Sequence, residues 1–240
     1  MKVQKLRKWG NEMKILLVCN DKWHKGQVAI EGFGTLAKGN YEIDIITDAG
    51  DLSRNMLDQY QVIVLCKSRE DVEEDNEYWG NIETQKTIID YVEKGGGVLA
   101  IHSGLVGGSN TGALEDLLGC RFISHPEQSL VTTAPLKPHF ITKGIDVFIE
   151  KDEHYIIEVI QDDIEVLFAS YSPPQGEKSK YETEPYFNSP AILCASGYVR
   201  KVGEGRVCGL TPGHNMEVWL NPTYQNILIN AIKWCGGHNI

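Results

Sequence analysis

Short apolar runs alternate with stretches of helical spacing through the first hundred residues, and this alternation limits the fold more than anything else in the chain. The runs cover residues 14–19, 41–47, 62–66 and 97–101. The first is continuously apolar, as expected of a parallel strand buried on both faces. Residues 27–37 read as a helix closed by Gly39-Asn40, and residues 57–60 as a short helix or turn. Residues 84–93 are amphipathic, with Ile88, Ile89 and Val92 at helical spacing. Strand–helix alternation of this kind predicts an α/β fold: a doubly wound, mainly parallel sheet.

The second half changes character. Residues 113–118 read as a short helix, and residues 128–133, 147–149, 156–160 and 165–169 as strands. Runs 191–195 and 206–210 flank Gly203-Glu204-Gly205, which predicts an antiparallel hairpin. Residues 222–234 read as a closing helix with Pro222 at its first position. Antiparallel additions are therefore expected in the C-terminal half. Residues 1–12 read as an N-terminal extension expected to be poorly ordered, and residues 13–240 as a single domain. Two polar stretches read as exposed loops: the acidic 68–80, a plain solvated loop in preference to a lid over a site, and 172–189.

Chemistry is expected beyond the carboxyl ends of the parallel strands, where open α/β sheets bind ligands. The segment Gly95-Gly96-Gly97-Val98-Leu99-Ala100-Ile101-His102-Ser103-Gly104 ends a helix, makes a buried strand and delivers His102 into a sharp turn. In many hydrolases and amidotransferases that turn carries a Ser or Cys nucleophile; here it carries an imidazole. A second apolar strand ends in Gly213-His214-Asn215. If the two strands are neighbours, His102 and His214 share one crevice, as an acid/base pair near neutral pH or as two metal ligands. Asp152-Glu153-His154-Tyr155 lies between two strand-like runs, and Glu153 there could orient an imidazole or grip hydroxyls. Trp23 and His24 follow the first strand and suit stacking and hydrogen bonding on a sugar face. His125, Tyr155 and Asn215 complete the expected pocket lining. His24, His102 and His214 are the ligands to be expected if a divalent metal is bound; whether one is bound stays open. His139 and His238 read as structural or solvated.

Composition narrows the partners. Lys and Arg number 23 against 33 Asp and Glu, a formal net charge of −10. An acidic surface repels phosphate backbones and anionic membranes, so neither nucleic acid nor membrane is an expected partner. No apolar run approaches the roughly 20 residues of a membrane span. The six cysteines contain no Cys-x-x-Cys pair and read as buried free thiols of a reducing cytoplasm. No Walker Lys-Ser/Thr follows the glycines near Gly107-Gly108, and no Gly-x-Gly-x-x-Gly follows the first strand. No nucleotide cofactor is therefore expected.

Several segments in order resemble one family. They are Gly95 to Ser103; Leu117-Leu118-Gly119 through His125-Pro126; His139-Phe140-Ile141-Thr142-Lys143-Gly144 leading to Asp152-Glu153-His154-Tyr155; and Gly203-Glu204-Gly205-Arg206-Val207 through Gly213-His214, followed by Asn221-Pro222 and Trp234. Together they resemble the trehalose-utilisation (ThuA-like) proteins, which share the class I glutamine amidotransferase-like, flavodoxin-type fold. The resemblance places His102 where the amidotransferases carry their Cys, so acyl transfer from glutamine lacks its nucleophile. It implies carbohydrate metabolism, on trehalose or a related disaccharide or ketosugar, with a small-molecule sugar as partner. Proton abstraction beside a carbonyl and metal-assisted hydrolysis both suit the groups. The rival reading is a non-catalytic sugar-binding or sensing module. His139-Phe140 departs from the family's His-Pro and leaves the identity of the sugar open, as oligomeric state is open.

Overall fold

The computed structural model describes residues 4–5, 13–36, 41–47, 52–69, 80–108, 110–173 and 192–237. Most of the acidic stretch 68–80, all of the polar stretch 172–189 beyond its first two residues, most of residues 1–12, and His238 lie outside the described residues. In chain order the elements are β1 (Gln4–Lys5), β2 (Met13–Cys19), α1 (Gly26–Leu36), β3 (Tyr41–Ile46), α2 (Arg54–Leu57), β4 (Val62–Cys66), α3 (Ile82–Glu93) and β5 (Gly97–Ile101). A 3-10 turn, His102–Leu105, follows, then α4 (Gly112–Leu118), β6 (Cys120–Ser124), β7 (Ser129–Pro135), β8 (Phe148–Asp152), β9 (Ile156–Val159) and β10 (Glu165–Ser172). The chain closes with β11 (Ile192–Val202), β12 (Gly205–Leu210), α5 (Met216–Leu220) and α6 (Pro222–Cys235).

Strand burial follows from the parallel arrangement. In β2, Ile15, Leu17 and Cys19 face one core and Leu16 and Val18 the other, because successive side chains point to opposite faces. The same split runs through β4, with Val62, Val64 and Cys66 against Ile63 and Leu65. Helices α1, α5 and α6 cover the first face through Phe33, Trp219, Tyr224 and Leu228. Helices α2, α3 and α4 cover the second through Leu57, Ile88, Val92 and Leu114. Both faces are dry, which is what makes these strands continuously apolar in sequence.

One sheet holds ten strands in the order β1-β3-β2-β4-β5-β12-β11-β10-β7-β8. Neighbours from β3 to β12 run parallel, and from β12 to β8 antiparallel. The doubly wound, flavodoxin-like arrangement is therefore present, with its antiparallel additions where the second half of the sequence placed them. The hairpin turns at Gly203-Glu204, but its first strand runs to Val202 rather than stopping near residue 195. Two strands were not foreseen: β1, which pairs antiparallel with β3, and β6, which pairs antiparallel with β9 in a separate two-stranded sheet. The side chains of β6 are mostly exposed or half-buried, so it lacks the apolar run that marks the parallel strands.

Helix ends are set by local chemistry. Asn221 caps α6 by accepting from the backbone N–H of Thr223 and Tyr224, ahead of Pro222. Asn81 caps α3 by accepting from Thr84.

Candidate functional site

Register decides the site. Leu210 of β12 lies opposite Ile101 of β5 in parallel pairing, so the residues after both strands emerge at one rim. His102 is the first of these, with φ +48°. A side chain holds that left-handed conformation only where its surroundings enforce it, and such strain gathers at functional sites. The enforcement is local. Gly104 packs so closely on β4 that an added Cβ would stand 1.9 Å from the Leu65 carbonyl oxygen. His102 Nδ1 lies 2.8 Å from the carbonyl oxygen of Thr211. A carbonyl only accepts, so Nδ1 carries a proton and Nε2 presents its lone pair to the rim.

After β12 the chain passes Thr211 and Pro212 to Gly213 and His214. Their backbone N–H groups donate to the Asp152 carboxylate at 2.8 and 2.9 Å. Asp152 is buried at the end of β8, so one carboxylate fixes the His214 loop to the antiparallel half of the sheet. Burial pushes the Asp152 carboxyl above its usual range, against the lowering effect of His102 and these N–H donors.

Glu153 then enters the cluster. Its Oε2 lies 3.3 Å from His102 Nε2, 3.0 Å from His214 Nδ1 and 3.7 Å from His125 Nε2. The first two contacts are not aligned as hydrogen bonds: His102 Nε2 and His214 Nδ1 are buried without a hydrogen-bond partner. Burial works to raise the Glu153 carboxyl, but His102 and His214 outweigh it and hold it well below the usual range. Burial lowers the His102 pKa, favouring the neutral imidazole, whereas Glu153 raises that of the more accessible His214. The two rings thus differ in basicity.

His24 joins from the loop after β2. Asp21 Oδ1 accepts from the backbone N–H of Trp23 and of His24, and from His24 Nδ1 at 2.9 Å. Asp21 Oδ2 accepts from the Ser68 N–H. Despite burial, these donors hold the Asp21 carboxyl down at about 2, ionised. With Nδ1 donating, His24 Nε2 faces inward, 3.3 Å from the Tyr155 hydroxyl. The three ring centroids of His24, His102 and His214 stand 5.0, 5.2 and 5.4 Å apart, and one donor atom from each, with one from Glu153, fall within 4.8 Å of one another.

The remaining candidates surround this cluster in different ways. Tyr155 is buried and stacks on His102 at 3.8 Å, so it backs the imidazole. His125 stacks on Tyr155 at 5.6 Å and is more exposed. Trp23 and Asn215 line a cavity of about 270 Å³ that also touches His24, His102, His214, Met216 and Trp219. Trp23 stands 61% exposed at its rim. The Asn215 amide donates to Gln128 Oε1 and to the Lys151 carbonyl, so its nitrogen is committed to the fold. Glu153, His125 and Tyr155 contact the imidazoles but are not among the residues lining the cavity. His139 lies elsewhere: its Nδ1 accepts from the Ile141 N–H and its ring packs near Trp234. Two residues of this arrangement were given no role of their own from the sequence: Asp21, and Asp152, which was noted only as a member of its polar cluster. Each sits beside a residue that was singled out, and adjacency to a candidate histidine or glutamate was the available signal.

The family model for trehalose utilisation matches residues 14–235. The chain belongs to the ThuA family. Among solved structures, a ThuA-like protein from Bacteroides uniformis is 20% identical over 95% of this chain and 94% of its own, with a TM-score of 0.73. A ThuA-like protein from Parabacteroides merdae is 17% identical over 96% and 93%, TM-score 0.68. A cytoplasmic protein from Salmonella typhimurium is 16% identical over 93% and 99%, TM-score 0.60. At these identities the likeness is one of fold. Comparison with the curated proteins gave no match. Among the described residues, no helix of this ThuA chain is long and apolar enough to cross a membrane.

Proposed function

We propose that this ThuA-family chain is an enzyme of carbohydrate metabolism that works on a disaccharide or ketosugar at the His102–Glu153–His214 cluster. One observation carries this reading: two imidazoles of different basicity and an ionised carboxylate meet beside a cavity at the carboxyl rim of the parallel strands, with His102 held in a strained backbone conformation. A sugar in the cavity would meet the imidazoles of His24, His102 and His214, with the Trp23 indole available for stacking at the rim. A neutral imidazole can take a proton and a charged one can return it, which suits proton abstraction beside a carbonyl or the assisted loss of a glycosidic leaving group. The family description, trehalose utilisation, supports a sugar as the substrate class.

The test is a turnover screen over disaccharides and their keto derivatives, with calorimetric binding measured in parallel. In the His102→Ala variant, turnover should fall by about 100-fold or more while sugar binding is largely retained. If binding and turnover fall together, or if the unaltered chain binds a sugar and converts none, the site is that of a sugar-binding module.

A further inference from the structure

Four side chains at the centre of this cluster turn donor atoms toward one another, and two of them present nitrogens that carry no proton. The tautomers are fixed from outside. His24 Nδ1 is engaged by Asp21 and His102 Nδ1 by the Thr211 carbonyl, so the Nε2 lone pairs of both rings point inward. His102 Nε2 and His214 Nδ1 are buried, unpartnered, and within 3.3 Å of a carboxylate oxygen that has only lone pairs to offer. His102 is 2% exposed, so water does not satisfy it from bulk. The inward lone pair of His102 Nε2 against a carboxylate lone pair at that distance is repulsive; a cation between them turns the repulsion into coordination and is within reach of His214 Nδ1 as well.

We propose that His24 Nε2, His102 Nε2, His214 Nδ1 and a Glu153 carboxylate oxygen form a binding site for one divalent first-row transition-metal ion. The donor set, three imidazole nitrogens and one carboxylate, is of the kind that zinc and its neighbours in the series take. Zinc–nitrogen bonds of about 2.0–2.1 Å set the edge of a coordination tetrahedron at roughly 3.3 Å. The separations from Glu153 Oε2 to His214 Nδ1 and to His102 Nε2, 3.0 and 3.3 Å, are close to that edge. Asp21 on His24 and the Thr211 carbonyl on His102 are the outer partners that orient metal-bound histidines and fix which nitrogen is free. The ion would act as a Lewis acid toward sugar oxygens entering from the cavity. That last step rests on the enzymatic reading above; the binding of the ion does not.

The experiment uses the full chain, produced without a polyhistidine tag, stripped with chelator and titrated with zinc and with manganese, each alone. Uptake of about one ion per chain is expected, with a melting temperature that climbs as free metal rises, because an ion bound only by the folded state stabilises it. Glu153→Gln and His24→Ala should weaken affinity clearly, and Asp21→Asn, which alters no donor atom, by about 10- to 100-fold. Circular dichroism of the stripped variants guards against misfolding; if His24→Ala fails to fold, Asp21→Asn carries the comparison. No uptake by the unaltered chain, or uptake equal in all variants, overturns the site. Turnover of a sugar by stripped chain that takes up no metal overturns the site and leaves the enzymatic reading standing. Stoichiometric uptake without turnover of any sugar supports the site and counts against that reading alone.

Discussion

His154 shows how a single buried side chain can set the acid limit of the fold. Its Nδ1 lies 2.7 Å from Ser172 Oγ and its Nε2 2.8 Å from Ser170 Oγ, an arrangement that a neutral imidazole satisfies with one donor and one acceptor. Burial lowers its pKa from 6.5 to about 4. The unfolded chain therefore takes up a proton first as pH falls, and folded stability drops from pH 6.5 down to about 4. His102 and His139 are shifted the same way by burial and add to the effect. Urea denaturation across this range should give a shallower pH dependence for His154→Gln than for the unaltered chain; identical slopes would refute the assignment. At this scale the sequence was most informative about His102 and His214, because a polar residue following an apolar strand stands out, and about Glu153, because it stands in a dense polar cluster between two strand-like runs. It assigned no separate role to Asp21 or Asp152. Their roles are hydrogen bonds to backbone N–H groups and to an imidazole, and nothing in residue type distinguishes such an aspartate from one in a solvated turn.

Helices α1 and α5 position the His214 loop through one close contact. A Cβ at Gly32 of α1 would stand 2.4 Å from Trp219 Cε3 in α5. Trp219 Nε1 in turn donates to the Gly213 carbonyl at 2.7 Å. Gly32→Ala should cost about 1–3 kcal/mol by overpacking, measured by chemical denaturation. It should also change the tryptophan fluorescence and lower the sugar turnover proposed for the site, because the displaced indole pulls on the residue before His214. A variant with unchanged stability and activity would show that this packing does not position the loop. The parallel strands, α3 and α6 were legible as elements because burial on two faces, amphipathic spacing and a Pro at a helix start leave local marks. Strand β6 was not: it is held by cross-strand pairing with β9, whose partners lie far along the chain.

Across the whole molecule, the thiols report how completely the two cores close. Of the six cysteines, all free, only Cys194 is partly accessible. Burial pushes Cys19 up to about 12 and Cys120 up to about 11, so neither is a thiolate at mildly alkaline pH. Iodoacetamide at that pH should modify the native chain slowly and chiefly at Cys194, and every cysteine once urea unfolds it; mass spectrometry of the peptides checks this. Rapid native labelling of Cys66 or Cys208 would mean that the sheet opens more readily than its burial implies.

The sequence alone determined the layered α/β class, the parallel half of the sheet and the strand ends where imidazoles would stand, because apolar periodicity and breaker residues act over a few positions. Only the tertiary structure decided that His24, His102, Glu153 and His214 share one centre and which nitrogen each ring turns toward it. Those outcomes depend on the β5–β12 register and on contacts such as His102 with Thr211, 109 positions apart, and contacts of that separation exist only once the chain has folded.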